Sequence, residues 1–259
     1  MKEKYRKEKA VISMFKTLVF HEIRPEKELE LGMRPVIVAN GYQDQLPMPL
    51  FNSVPFFEQE MVYLKENGYH FLTLDELKSF FYEKKQLPDK SILITFDDCF
   101  QSMKKHAYPI LKKMNIPAVC FAPTGWLFET ESDYSPNESK ALSFQELENM
   151  RDVFTYANHT HDFHVRRGIE ASKLMWETTE NVLKDLAKCS QWVEETDVFA
   201  YPFGLYDEKN VALLKEHDFK LAFTTKQGTT TINTHPLEIE RYVIPFTMNM
   251  EEFEQVITK

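Results

Sequence analysis

The apolar positions of this chain fall into short runs that stop abruptly, separated by stretches in which apolar residues recur every three or four positions. Ile92, Leu93, Ile94 and Phe96 form the β-branched and aromatic run that a strand covered on both faces requires. Phe57, Met61 and Leu64 lie on one face of a helix over residues 56–67, and Gly68 stands where a C-terminal cap belongs. A first strand is expected over 11–19, running into Phe20, His21, Glu22 and Ile23, and a short one over 69–72. Thr73 and Glu76 have the spacing of a capping box for a helix reaching 84.

The alternation continues downstream. A helix over 101–114, with Tyr108, Leu111 and Met114 inward, precedes a strand over 117–121. Ser143 and Glu146 make a second capping box before a strand over 153–157. A long helix over 171–189 leads to the segment from Val198 to Gly204, then a helix over 207–217 and a strand over 219–225. A strand over 239–244 and a helix over 250–257 complete the chain. Strand and helix alternating in this way predict an α/β fold whose mainly parallel sheet closes, or nearly closes, into a barrel. The stretch 24–55 departs from the rhythm. Pro25, Pro35, Pro47, Pro49 and Pro55 around a central Asn40 and Gly41 predict a loop-rich excursion with turns and a candidate hairpin, of the kind that often shapes a substrate site.

Composition narrows the classes. With 259 residues, 43% of them hydrophobic, the chain can bury one substantial core, so a single domain over 1–259 is expected, with 1–9 a solvated tail. A net charge of −9 without a basic stripe excludes the electrostatic footprint of a nucleic-acid binder. The seven glycines form no phosphate-cradling pattern, which argues against a nucleotide cofactor. Cys99, Cys120 and Cys189 are odd in number and lack metal-finger spacing, as expected of reduced thiols. Lys16 interrupts the apolar run that follows the charged N-terminus, and no run approaches the roughly 18 residues of a membrane span. A cytoplasmic protein is expected.

Candidate chemistry gathers where two runs end. A buried strand cannot carry charge through its middle, so Asp97 and Asp98 belong on the rim past its carboxyl end, where parallel sheets place their ligands. Helix capping would explain one of these carboxylates but not both. The run over 153–157 ends similarly, in Asn158, His159, Thr160, His161, Asp162, Phe163 and His164. Three of the eight histidines thus fall within six positions. An Asp with two imidazoles and a coordination position left open is the pattern of a catalytic divalent-metal site, although one such His alone would read as a surface or capping residue.

These residues carry a resemblance. Thr95, Phe96, Asp97 and Asp98, then Asn158, His159, Thr160 and His164, then Ala200, Tyr201, Pro202, Phe203 and Gly204, with the leading pattern from Phe57 to Tyr69, resemble the polysaccharide deacetylases of the NodB-homology type, carbohydrate esterase family 4. The likeness spans about His21 to Ile244. It implies a distorted (β/α)7-type barrel and a metal-dependent hydrolase that removes acetyl groups, chiefly N-acetyl groups of N-acetylglucosamine units, from a poly- or oligosaccharide. Carried over, the resemblance makes Asp97 the catalytic base and Asp98, His159 and His164 the metal ligands. It has Tyr201 lend its backbone N–H to the oxyanion. The implied ion is Zn²⁺, with Co²⁺, Ni²⁺ or Mn²⁺ as alternatives.

Four departures refine the resemblance. The second ligand His stands five positions after the first, as in the poly-N-acetylglucosamine deacetylases of biofilm matrices. Cys99 replaces a usual Gly and reads as a small packed residue rather than a thiol facing the metal. Ala200 replaces the Arg that commonly steadies the base. No His follows Tyr242 to act as acid, which turns attention to His21, similar to a His near the start of the biofilm enzymes that serves as general acid. His161 and Asp162 are left open between orienting the ligands and facing solvent. A sugar-binding barrel without activity is the competing class, and the complete set of Asp97, Asp98, His159 and His164 weighs against it. So does the lack of carboxylates for a second metal against a phosphoester hydrolase.

Overall fold

The computed structural model describes residues 13–258, so the expected tail over 1–9 and the start of the first strand lie outside the described residues. Six strands are sheet neighbours in the order in which they occur: β1 (Met14–Phe20), β2 (Ser91–Asp97), β3 (Ala118–Ala122), β4 (Phe154–Asn158), β5 (Glu195–Ala200) and β6 (Leu221–Phe223). Each of the pairings between them is parallel. His70–Phe71 adds a parallel pairing on β2, and Thr230–Thr231 an antiparallel one on β1. A seventh strand, β7 (Tyr242–Val243), pairs parallel with β1, while Ile239 bridges to Phe223 in β6. The segment 239–243 therefore spans the two edges of a curled, parallel sheet.

The burial of β2 on both faces follows from its sequence. Leu93 packs inside the curl with Val119, Phe121, Ala157 and Val198. Ile92, Ile94 and Phe96 point the other way, against Phe57, Met61 and Leu64 of α1 (Val54–Glu66). Ser53 caps α1 by accepting the N–H of Phe56, and the expected Thr73 and Glu76 capping box opens α2 (Leu74–Glu83). Beyond β2 the chain makes one π-type turn over Met103–Ala107 before α3 (Tyr108–Met114), where Pro109 removes a donor. The long helix expected over 171–189 is divided. Arg166–Arg167 and Ala171–Ser172 form an antiparallel hairpin, Lys173–Trp176 makes one turn, and α4 (Thr179–Cys189) starts afresh. The cause lies at Thr178, whose hydroxyl accepts the N–H of Asn181 and so favours a cap over a continued helix. Asp207 caps α5 (Glu208–Glu216), and α6 (Met250–Thr258) follows β7.

The excursion over 24–55 is ordered. Glu22–Arg24 pairs with Phe51–Ser53, and Arg34–Ile37 pairs antiparallel with Gln45–Leu46 and parallel with Ser139–Lys140. Gly41, at a φ of 75°, sits in the hairpin turn where sequence placed one. Arg24 is fully buried and donates to both oxygens of Glu22, to Tyr134 and to the carbonyls of Ser135 and Glu138, which fastens the 134–138 loop beneath the excursion.

Glu60 on α1 is fully buried, and the Asn52 amide donates to both of its oxygens, at 3.2 and 3.0 Å. Burial pushes its carboxyl well above the usual range, against the smaller opposing pull of Asn52. The folded state therefore keeps a proton that the unfolded chain releases, and this group costs stability as pH rises above the unfolded value. Glu60→Gln is expected to melt with the wild type near about pH 4 and above it near about pH 8, by about 1–3 kcal/mol. Thermal denaturation across that range checks this, and parallel curves for the two proteins would refute it.

Candidate metal centre and active site

The strand ends that the sequence singled out meet in one cavity of about 210 Å³. His21 leaves the end of β1, Asp97 ends β2 with Asp98 just beyond, and His159 directly follows β4. Asp98, His159 and His164 are all buried and each offers a ligand atom within 4.8 Å of the others. The imidazole Nδ1 of His159 donates to the Ala200 carbonyl at 2.8 Å, which fixes the tautomer and leaves Nε2 as a lone pair toward Asp98 Oδ1 at 3.7 Å. His164 Nε2 lies 3.2 Å from that same oxygen, which is buried without a hydrogen-bond partner. Burial, and then Asp97, push the Asp98 carboxyl well above its ordinary range, and burial pushes His164 well below its own. Acceptor atoms converging in this way fit a divalent cation, held by one oxygen and two nitrogens.

Asp97 differs from its neighbour. Burial, the largest influence, would raise its carboxyl, but the Arg241 guanidinium together with His159 and His21 holds it below the usual range. Arg241, fully buried, donates to both Asp97 oxygens at 2.8 Å and to the Thr224 carbonyl at 2.8 Å. Sequence reasoning found no replacement for the Arg missing at Ala200. The structure supplies one from the segment that closes the sheet. Its only sequence signal is an Arg inside an otherwise strand-like run over 239–244.

His21 is placed as expected, with Nε2 3.9 Å from Asp97 Oδ2. Burial lowers His21 to about 4, and the attraction of Asp97 offsets only part of that. Tyr201 departs from its expected role. Its N–H donates to the Phe223 carbonyl at 3.0 Å, extending the parallel pairing of β5 with β6, and its ring is buried against Tyr206. From that motif Phe203 and Gly204 line the cavity, both in left-handed backbone, with the Phe203 ring 4.2 Å from that of His164. His161 and Asp162 touch none of the three ligand side chains through their own; His161 meets Thr124, and Asp162 meets Asn40.

The excursion roofs the cavity. Ala39 N–H donates to the Trp126 carbonyl, Tyr42 stacks on Trp126, and Arg166 clasps Asp44 through two bonds of 2.8 and 2.9 Å. Trp126 in turn packs edge-on to His164.

Residues 84–222 match the profile of the family described as Polysaccharide deacetylase. The chain belongs to that family. Among the relatives, poly-beta-1,6-N-acetyl-D-glucosamine N-deacetylase of Staphylococcus aureus (strain N315) is 31% identical over 211 residues, covering 78% of this chain and 69% of that protein. The enzyme of the same name from Staphylococcus epidermidis is 27% identical over 195 residues, covering 73% and 66%. The fold matches the Streptococcus pyogenes deacetylase PplD, solved in complex with acetate, with a TM-score of 0.76 at 19% identity over 96% of this chain and all (100%) of that one. IcaB from Ammonifex degensii gives 0.70 at 21% identity, over 95% and 96%. The half-barrel of the polysaccharide deacetylases is thus the architecture of this chain, and its Asp98, His159 and His164 cluster is consistent with the metal site of the family. Among the described residues no helix is long and apolar enough to cross a membrane.

Arg241→Lys keeps a positive charge but loses the two-pronged fork on Asp97. Its Asp97 carboxyl is expected to titrate at higher pH, moving the acid limb of the kcat/KM profile to higher pH. Metal content should not change. An unmoved acid limb would show that Arg241 does not set the charge of Asp97.

Proposed function

We propose that this protein is a metal-dependent deacetylase acting on N-acetylglucosamine units of a poly- or oligosaccharide, with Zn²⁺ as its ion. The observation that carries the reading is the pairing, in one cavity, of a cation-fitting cluster with a separate carboxylate that Arg241 keeps ionised. The naming of the staphylococcal relatives supports the glycan, and the imidazole-rich donor set supports zinc over magnesium or calcium.

When bound, the cation supplies Lewis acidity toward the acetyl carbonyl. Asp98, His159 and His164 would hold it. Asp97, ionised and fixed in orientation, takes the proton from the attacking water. His21 delivers a proton to the departing amine. Because the free imidazole is neutral at mild pH, that proton has to arrive within the turnover, and Asp97 Oδ2 at 3.9 Å is a source for it. Trp126 and Phe203, packed on His164, exclude water from its ring.

The size of the cavity favours a second reading. About 210 Å³ is below the roughly 300–1,000 Å³ usual for ligand pockets, so a non-polymeric acetylated sugar is the alternative substrate. The three free cysteines, all buried, support a reducing compartment such as the cytoplasm.

Acetate release from N-acetylated oligosaccharides and sugar precursors, with and without added metals, tests the reading. Asp97→Asn is expected to abolish turnover with metal content retained, whereas Asp98→Asn loses metal. Like behaviour of the two variants, or no metal-dependent release from any substrate, would overturn it. His21→Ala is expected to slow amide cleavage by roughly 10²–10⁴ while sparing an activated aryl acetate, whose leaving group needs no proton. Equal losses on both substrates would return His21 to a structural role.

A further inference from the structure

The two ligand histidines are separated by a turn, 160–163, that belongs to no helix or strand and yet must hold both rings to a fraction of an ångström. Its backbone has an external template. Thr160 N–H donates to the Asn158 side-chain oxygen at 2.9 Å, and the next two N–H groups, of His161 and Asp162, each donate to one oxygen of Asp185 at 2.7 Å. On the other side, the carbonyls of Thr160 and His161 accept from Thr124 and Gly125. Gly125 lies so close that a Cβ there would stand 2.5 Å from the His161 carbonyl oxygen. Asn158 is itself anchored to α4, donating to the Leu186 carbonyl at 2.9 Å and to Ser190 at 3.0 Å. The turn is thus gripped by a carboxylate from α4 and by the carboxamide at the end of β4 that is itself tied to α4, and Thr160 is held at a φ of 72°, a conformation costly for a β-branched residue.

We infer that Asp185 is a positioning residue for the metal centre: its buried carboxylate shapes the turn that presents His159 and His164, and metal affinity depends on it. Two adjacent N–H groups of a non-helical turn point at α4, and a neutral side chain has at most one oxygen there, whereas a carboxylate offers two acceptors to two donors. Without that acceptor pair both N–H groups lose their partners, and the turn regains the freedom to choose other backbone conformations. His159 and His164 would then no longer converge on Asp98. Asp185 touches neither the ion nor the ligand side chains, so its effect passes entirely through the main chain.

The inference rests on Asp98, His159 and His164 being the metal ligands, and the test separates the two. Zn²⁺ and Co²⁺ affinities are measured by chelator competition on the metal-free full chain, together with the visible spectrum of the Co²⁺ form and thermal denaturation without metal. Asp185→Ser is expected to weaken metal binding by roughly 10–100-fold, the range found when groups that support metal ligands are removed. It should also alter the Co²⁺ spectrum. Asp185→Asn, with one oxygen retained, should fall between it and the wild type, and Lys184→Ala, an exposed neighbour on α4, should bind as the wild type does. A purely structural role would lower the melting temperature of the metal-free protein while leaving affinity within about threefold and the spectrum unchanged, and that result overturns the inference. If Asp185→Ser does not fold, the Asn variant decides by the same two readouts. A wild type that binds neither metal would overturn the ligand assignment, and this inference with it.

Discussion

A buried ion pair between residues 144 positions apart sets the conditions for everything else in this molecule. Taking a guanidinium and a carboxylate out of water costs several kcal/mol for each ion, and the cost is offset only when geometry and further hydrogen bonds are nearly complete. Arg241 meets that demand with two bonds to Asp97 and a third to the Thr224 carbonyl. The demand also dictates topology, because the segment carrying Arg241 has to run between β6 and β1, and in doing so it joins the edges of the curled sheet. Chemistry and closure thus depend on one contact. The same contact separates two adjacent aspartates. Burial acts on both, but only Asp97 is hydrogen-bonded to the guanidinium, while Asp98 feels the charge of Asp97 besides its own burial, so one carboxyl is held down and its neighbour is pushed up. Environments that drive paired carboxyls apart are how one fold obtains two roles from one residue type.

Much of this was legible in the sequence because it depends on local pattern. Apolar runs ending in ligand-type residues located the strand ends, and capping boxes at Thr73 and Ser143 located helix starts. Asp97, Asp98, His159 and His164 meet because the first two lie at the carboxyl end of one strand, and the histidines on the segment leaving another, of the same parallel sheet. What was illegible depends on distance or burial. Nothing near Arg241 announces a partner 144 residues away. The lowered His21 follows from enclosure by elements that a linear reading cannot assemble. The partner of the Tyr201 N–H is likewise hidden from a linear reading, because sheet register assigns that N–H to Phe223. The periodicity over 171–189 was genuine, but Thr178 offered a cap that competed locally and prevailed.

Backbone strain gathers around the same cavity. Asp98, Cys99, Thr160 and Phe203 all have positive φ, between 56° and 72°, and none is a glycine. Such conformations cost on the order of 1–3 kcal/mol each and persist only where the surroundings over-determine them. At Cys99 the surroundings are a fully buried site with Cys120 Sγ 3.3 Å away, so packing compensates for the Cβ that a glycine would lack. This agrees with reading Cys99 as a packed small residue. The ligand-bearing turns are thus held away from their relaxed conformations, which confines the side chains they carry.

The roof over the cavity responds to a solution variable that its floor does not feel. The Arg166 and Asp44 side chains that fasten it are 28% and 21% exposed, within reach of mobile ions, whereas Arg241 is wholly enclosed. Debye screening over about 8–10 Å at physiological ionic strength weakens the first pair and barely touches the second. Ionic strength therefore loosens the hold of the excursion on the far wall without changing the charge of Asp97. Admission of a glycan and the chemistry performed on it are, in this architecture, adjustable independently.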